Sequence, residues 1–489
     1  LFSEAHFGEG IELLTRAFPD WMHPRLRFFA GRENKLPIDQ HTLIACIAPR
    51  ACLLSTALND PVESVWAIEH TYDSAKRVYE MLGASDALQL RCRWGSHETQ
   101  TQDIEAYLDW LDLQFGHRHS AFEESSKFYP TYDDWLKRSG ESIDPAKFPE
   151  KDLDDLLVFQ EYKKITTREQ WAEKTPDIKN RIEWALGKSP AIGAQSVGSY
   201  GSEYGHIAEL LSRRSEPTGV KKQQFNFGNY IAGDLYYPES AEASGQKIPA
   251  VIWLHSWNNA KGYVPSYRRG SPPHIKLAQA GFAVLAFDQI GTGYRLEEIT
   301  NFYDRYPQWS LLGKMVADAQ SALDVFDEVP FVDANRIYLL GYDMGAKIAL
   351  HAAAMDDRFA GVVSAAGFTP MRLDAPEKGG GGIARWTHWL PLIPRLGAFA
   401  GQERRIPYDY HEVLGLIAPR PVLVVNLTLD LQAHAGDVLS CVEKAGQVYS
   451  IFGAEKNLQW MEVEDYNRFS PELQDQIIPK LKDMAGMES

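Results

Sequence analysis

The chain has 489 residues, which at about 150 residues per domain points to three domains or two large α/β ones. Hydrophobic residues make up 44% and charged residues 24%, with 13 Trp and 22 Tyr, which excludes a disordered, collagen-like or coiled-coil chain. The formal charge of −16 argues against a nucleic-acid partner, because phosphate neutralisation needs a basic face. No uncharged apolar run approaches the roughly 20 residues of a spanning helix.

Residue 1 is Leu and no signal peptide follows, so the sequence is expected to begin inside a domain. Cys52–Leu58 reads as an apolar strand, and Asp103 to Leu113 as a helix. Gly116 to about Pro217 is polar and acidic, with a helical piece expected at Leu153 to Lys164. Thr167-x-x-Gln170 has the form of a capping box opening another helix. Pro249 to His255 and Phe282 to Phe287 are continuous apolar runs, as strands buried on both faces should be. Lys314 to Phe326 has helical spacing. Arg336 to Leu340 is a strand, followed by Gly341-Tyr342-Asp343-Met344-Gly345 and a helix from Ala346 to Ala354. Gly361 to Ala365 and Val422 to Asn426 are further strands, and Gly379 to Gly382 reads as a flexible loop. The four cysteines, Cys46, Cys52, Cys92 and Cys441, are scattered and read as small buried hydrophobes. Strands alternating with helices give an α/β chain with mostly parallel sheets and right-handed crossovers.

An internal repeat runs through this pattern at an offset of 370 residues. Pro37-Ile38-Asp39-Gln40-His41 returns as Pro407-Tyr408-Asp409-Tyr410-His411, and Ile47-Ala48-Pro49-Arg50 as Ile417-Ala418-Pro419-Arg420. The apolar runs that follow end in Asp60 and Asp430, and Val78-Tyr79 matches Val448-Tyr449. Two copies of one fold are therefore expected. The second is the more complete, and its strand, G-x-D-x-G, helix order has the shape of a nucleophile elbow.

The second copy resembles the α/β-hydrolases of the dienelactone hydrolase and acetyl xylan esterase type. Its segment Leu254-His255-Ser256-Trp257-Asn258 looks like that group's oxyanion-hole loop. The first copy resembles the C-terminal part of glucuronoyl esterases (carbohydrate esterase family fifteen). The matching residues are Gly8-Glu9, Phe18-Pro19-Asp20-Trp21, the run Asn34-Lys35-Leu36-Pro37-Ile38-Asp39-Gln40-His41, Ile47 to Arg50, and Arg93-Trp94-Gly95-Ser96-His97. The resemblance implies two α/β-hydrolase domains, the first incomplete at its N-terminus. Residues 1–118 would be the C-terminal part of the first. Residues 119–219 would be a linker and helical layer, and 220–489 the second domain.

An esterase of this fold needs a nucleophile, a base, and an acid that orients the base. In the first copy Asp60 stands at the acid position and His97 at the base position. By the resemblance, Glu9 contacts the sugar. Trp21 is read as scaffold packing or as a sugar-stacking platform. The first copy's own elbow would fall before Leu1, so its Ser is expected from an N-terminal half or a companion chain. The second copy departs from the triad. Its elbow holds Asp343, its acid position keeps Asp430, and its base position holds Asn467. His255, His388, His411 and His434 are the remaining candidates for a base, and a non-catalytic domain is expected. Asp39/His41 and Asp409/His411 are read as structural rather than metal-binding, and no metal or cofactor is expected.

Two classes of function remain at this stage. One is a serine carboxylesterase acting on glucuronate esters, secreted or periplasmic by resemblance, with a carbohydrate ester substrate and no nucleic-acid or membrane partner; this chain alone would be inactive. The other is a non-catalytic binding or scaffold chain, or an Asp-nucleophile hydrolase in the second domain.

Overall fold

The computed structural model describes residues 10–30, 32–60, 63–117, 122, 125, 127–159, 163–190, 198–200, 219–257, 262–264, 270–378 and 381–487. Two compact units form, the first built on residues 1–129 and the second on residues from 130 onward.

In the first unit, Ile11–Ala17 is helix α1 and Gln40–Ala45 is helix α2. Strand β1 (Cys52–Ala57), helix α3 (Val65–Met81), strand β2 (Leu88–Arg93) and helix α4 (Thr101–Gln114) follow. β1 and β2 pair in parallel, Cys52 opposite Leu88 through Ala57 opposite Arg93. A small core of Tyr72, Ala75, Tyr79, Leu88 and Leu90 closes between α3 and this pair.

The second unit contains helices α5 (Tyr132–Ser139) and α6 (Arg168–Leu186). Its nine-stranded sheet draws on β5 (Gly198–Tyr200), β6 (Val220–Phe227), β7 (Ile231–Pro238), β8 (Ile248–Leu254), β9 (Ala283–Phe287), β10 (Val332–Tyr342), β11 (Gly361–Ala365), β12 (Val422–Leu427) and β13 (Leu458–Val463). The order is β13-β12-β11-β10-β8-β9-β7-β6-β5, parallel from β13 to β9 and antiparallel beyond. Val251, Trp253, Leu340, Val363 and Val425 meet the helices Pro273–Gln279 and Pro471–Met484 in one core. Alternate residues, such as Ile252, Leu339, Val362 and Val424, turn to the other face and are just as buried. That burial on both faces is why these strands read as unbroken apolar runs. A helix from Met344 to Met355 follows β10 and is buried on every side down to Ala354.

The 370-residue offset recurs element by element. α2 matches the helix Tyr410–Ile417, β1 matches β12, α3 matches Ala435–Phe452, β2 matches β13, and α4 matches Pro471–Met484. The strand register shifts by the same amount, Val422 opposite Leu458 through Leu427 opposite Val463. Tyr79 donates to the Arg50 carbonyl at 3.0 Å, as Tyr449 does to Arg420 at 2.9 Å.

The copies differ in cover. β12 lies between β13 and β11 and is buried along its length, whereas β1 pairs only with β2 among the described residues and is half-buried over Cys52–Ser55. Ile38, Leu43 and Phe115 are 56%, 49% and 71% exposed, while their counterparts Tyr408, Val413 and Ala485 are at most 4% exposed. Among the described residues the first unit therefore presents a strand edge without a second partner, and exposed apolar side chains at positions the second unit buries.

Three expectations fail locally. Leu153 to Lys164 is not a helix but turns leading into a two-residue hairpin, β3 (Val158–Phe159) with β4 (Lys163–Lys164). The buried Lys174 ammonium takes the carbonyls of Asp155, Leu156 and Val158 at 2.7, 2.7 and 3.0 Å, oxygens a helix there would have used itself. Of the four cysteines read as buried, only Cys441 is: Cys46 is exposed at the end of α2, which buries no residue, and Cys52 and Cys92 are half-buried on the thinly covered strands β1 and β2. Trp21 is 65% exposed and stacks on Phe18 at 4.3 Å rather than packing in a core. The capping box at Thr167 and Gln170 forms as expected. Gly379 and Gly380 lie outside the described residues.

Candidate active site

In the first unit the chain leaves β1 at Ala57, and Asp60 sits in the turn that follows, its amide bonded to the Ala57 carbonyl. His97 sits in the turn after β2. Leu58 N–H donates to the Arg93 carbonyl at 2.8 Å and Asn59 N–H to the Gly95 carbonyl at 3.0 Å, which ties the two turns together. Within that frame His97 Nδ1 lies 2.8 Å from Asp60 Oδ2. Asp60 is buried, while the His97 ring is 66% exposed. A buried carboxylate fixing one ring nitrogen holds the imidazole in a single tautomer and orientation, and leaves it open to solvent.

Arg93 holds the second turn in place. It donates through Nε to both Asp103 oxygens at 2.7 and 2.8 Å, and through Nη2 to the carbonyls of Ser96 and Glu98. Burial works against the Asp103 carboxylate, but its bonds from Arg93, the Gln100 amide and Arg91 outweigh that and bring it down to about 2. Gly95 adopts φ +123°, and a Cβ there would lie 2.4 Å from Arg93 Nη1. Arg93-x-Gly95-x-His97 is thus a device for presenting one imidazole. Thr56 and Glu63, which the sequence reading passed over, also belong here. Thr56 Oγ1 donates to Glu63 Oε2 at 2.8 Å, and the Glu63 amide donates to Asp60 Oδ1 at 3.3 Å. Their sequence signal is an acidic residue three places after Asp60. Glu9 lies outside the described residues.

In the second unit β10 runs into a tight turn at Asp343, which adopts φ +53° and ψ −115°. Such a backbone is strained for a residue with a side chain and persists because the surroundings enforce it. Glycine is required at 345, where a Cβ would lie 2.0 Å from the Leu254 carbonyl. Asp343 is buried. Burial pushes its carboxyl up, and the nearby charges of Lys347 and Arg385 and the Met344 amide oppose this. Lys347 donates to the Gly367 carbonyl at 2.7 Å and lies over the Trp386 ring at 4.2 Å. Burial pushes Asp430 up to about 7, against a bond from the Gln432 amide, with the Asp343 charge raising it further. Asp374 is likewise pushed up to about 6 by burial. Lys347 and Arg385 line a cavity of ≈ 30 Å³ together with His351, Asp374, Trp386 and Tyr410. That is room for about two waters and too little for a sugar ring.

Asn467 stands where the first unit has His97. Both its side-chain amide atoms are buried without a hydrogen-bond partner among the described residues, and so is Asp430 Oδ2. The other histidines are engaged elsewhere. His255 faces the Ser256 carbonyl through Nδ1 at 2.6 Å and accepts the Gln289 amide at Nε2 at 3.1 Å. His388 meets Thr387 and stacks on Tyr132 at 4.0 Å. His411 meets Asp155 at 3.2 Å. His434 is exposed and 3.4 Å from Asp437. Among the described residues no histidine hydrogen-bonds Asp343. Asp39 and Asp409 cap helices, each within a capping box. Among the described residues no cluster of three His, Cys, Asp or Glu is placed to hold a metal ion, and no helix is long and apolar enough to cross a membrane.

Comparison with known proteins bears on the family and the fold. A carbohydrate esterase, MZ0003, from an unknown prokaryotic organism is 31% identical over 129 residues, 22% of this chain and 29% of that protein. A 4-O-methyl-glucuronoyl methylesterase of Hypocrea jecorina (strain QM6a) is 22% identical over 346 residues, 64% of each chain. This chain thus spans less than two thirds of the length of either relative. Among solved structures, a promiscuous CE15 esterase from a marine bacterial metagenome superposes with TM-score 0.53 at 18% identity. It covers 70% of this chain and 99% of its own. Glucuronoyl esterase from Solibacter usitatus gives the same TM-score and identity over 69% of this chain, so the α/β-hydrolase fold is shared. The family profile described as glucuronyl esterase of fungi matches residues 9–83 and again 235–453, one segment in each unit and more than half of the chain together. With both segments of the profile matched, this chain belongs to the glucuronyl esterase family.

Proposed function

We propose that the chain is part of a carbohydrate esterase that hydrolyses glucuronate esters, with Asp60 and His97 as the acid and base of a Ser-His-Asp triad. The observation that carries this reading is the 2.8 Å contact between a buried Asp60 and an exposed His97 imidazole. The Ser would attack the ester carbonyl, His97 would take its proton and return it to the leaving alcohol, and Asp60 would hold the ring. The substrates are a methyl glucuronate ester or the ester joining xylan-borne glucuronic acid to a lignin alcohol, met outside the cell. Trp21 and Glu9 are the proposed sugar contacts. The exposed stacked ring of Trp21 suits a sugar face.

The Ser is proposed to reside on an N-terminal half-domain that covers the edge of β1 and the apolar face around Leu43 and Phe115. In the second unit the matching positions, Val413 and Ala485, are buried. On this reading residues 1–118 complete the catalytic domain, 119–219 join it to the next, and 220–489 are a pseudo-hydrolase. Among the described residues no histidine hydrogen-bonds Asp343 to serve as a base for water, so an Asp-nucleophile mechanism lacks its second half. The test is hydrolysis of benzyl or methyl glucuronate, measured with this chain alone and with a complementing half-domain.

A further inference from the structure

Three of four positions at the His97 site change together between the two units. Where the first unit has Thr56, Asp60, Glu63 and His97, the second has Asn426, Asp430, Ala433 and Asn467. Only the acid is kept. In the unit with an imidazole, a chain of contacts runs from Thr56 Oγ1 to Glu63 Oε2, from the Glu63 amide to Asp60 Oδ1, and from Asp60 Oδ2 to His97 Nδ1. In the unit without one, Ala433 has no carboxylate to receive a donor, and Asn426 Nδ2 is buried without a partner. A mere loop brace would be as useful in either unit, so the Thr-Glu link follows the imidazole rather than the fold.

We propose that Glu63 is a positioning residue of the His97 site, a second carboxylate that holds Asp60 against the imidazole and adds its own negative charge to the field at the ring. This rests on the triad assignment above. Glu63 is anchored twice. Its side chain is bonded to the buried hydroxyl at the end of β1, and its amide to the oxygen of Asp60 that His97 does not use. One carboxylate oxygen of Asp60 is thereby fixed while the other orients the ring. Other charges facing the ring are Glu98, on the same turn, and Arg93, which donates to the carbonyls of Ser96 and Glu98. Glu63 feels both partners, its carboxyl being raised by burial and by Asp60 and lowered by His97.

The experiment is proton NMR titration of the His97 ring in the full chain, assigned by its loss in His97→Ala, with Glu63→Gln, Glu63→Asp and Thr56→Val compared. Removing the charge in Glu63→Gln should lower the His97 pKa by about 0.5 unit at low salt. Thr56→Val, which keeps the charge and breaks the link, should shift it less while broadening the ring resonance. Glu63→Asp should restore most of the wild-type pKa. An unchanged His97 titration in Glu63→Gln overturns the proposal. The readout needs no nucleophile. Absent esterase activity with an intact Glu63 effect would therefore count against the triad reading alone, and the reverse result against Glu63 alone.

Discussion

His97 and Asp60 show how much one contact separates the two units. Each copy keeps the acid, but only Asp60 has a ring to orient, at 2.8 Å. In an enzyme complemented with the Ser-bearing half, His97→Ala should lower kcat by about 10³-fold or more, as loss of the base does in such triads. Asp60→Asn should cost less, because the base itself remains. Steady-state kinetics on a glucuronate ester check both. Asp430, without a ring, is a liability. Burial raises it from 3.8 to about 7, so folding favours its protonated form. That stability is complete below about pH 4 and is lost as pH rises through 7. Asp430→Asn should therefore match wild type at pH 4 and be more stable at pH 8, by on the order of 2–4 kcal/mol. Thermal unfolding across that range measures it.

At the scale of elements, the gapless repeat was readable because the two copies keep one length from helix α2 to helix α4, so identical residues at matched positions carried the register. The parallel strands were readable because burial on both faces leaves no polar alternation to blur them. Other features arise from distant partners. The turns at 153–157 depend on Lys174, which no local pattern announces. Arg385, whose charge opposes the rise of the Asp343 and Asp430 carboxyls, comes from a segment that carries no motif. Glu63 was hidden because only its contact with Thr56 gives it meaning. The paired helix caps show how context sets the worth of a repeated residue. Asp39 accepts the Gln40 amide within a capping box. Asp409 accepts the amides of Tyr410, Met371 and Arg372 at 2.7, 2.8 and 2.9 Å and is fully buried. Asp39→Ala should cost about 1 kcal/mol. Asp409→Ala strands three donors and should cost roughly 3 kcal/mol or more. Hydrogen-exchange protection of Gln40–Ala45 and Tyr410–Ile417 reads the two separately.

For the whole molecule, each unit has its own balance of cover and chemistry. The second has a nine-stranded sheet, two packed faces and a strained turn at Asp343 that no histidine among the described residues hydrogen-bonds. The first has the Asp60–His97 contact and, among the described residues, a strand edge without a second partner and exposed apolar side chains that water does not favour. A complementing half-domain should therefore reduce binding of a hydrophobic dye to the first unit, and Leu43→Asp should weaken that complementation by at least tenfold in Kd. The central claim is that Asp60 and His97 serve a Ser carried by such a half. Its most direct test is turnover of benzyl glucuronate by the purified 489-residue chain, alone and mixed with the half-domain of a family member running from its first strand through its Ser turn. The account predicts no turnover alone, and turnover on mixing that His97→Ala abolishes. Turnover by the chain alone, or by the mixture at an undiminished rate with His97→Ala, would contradict it.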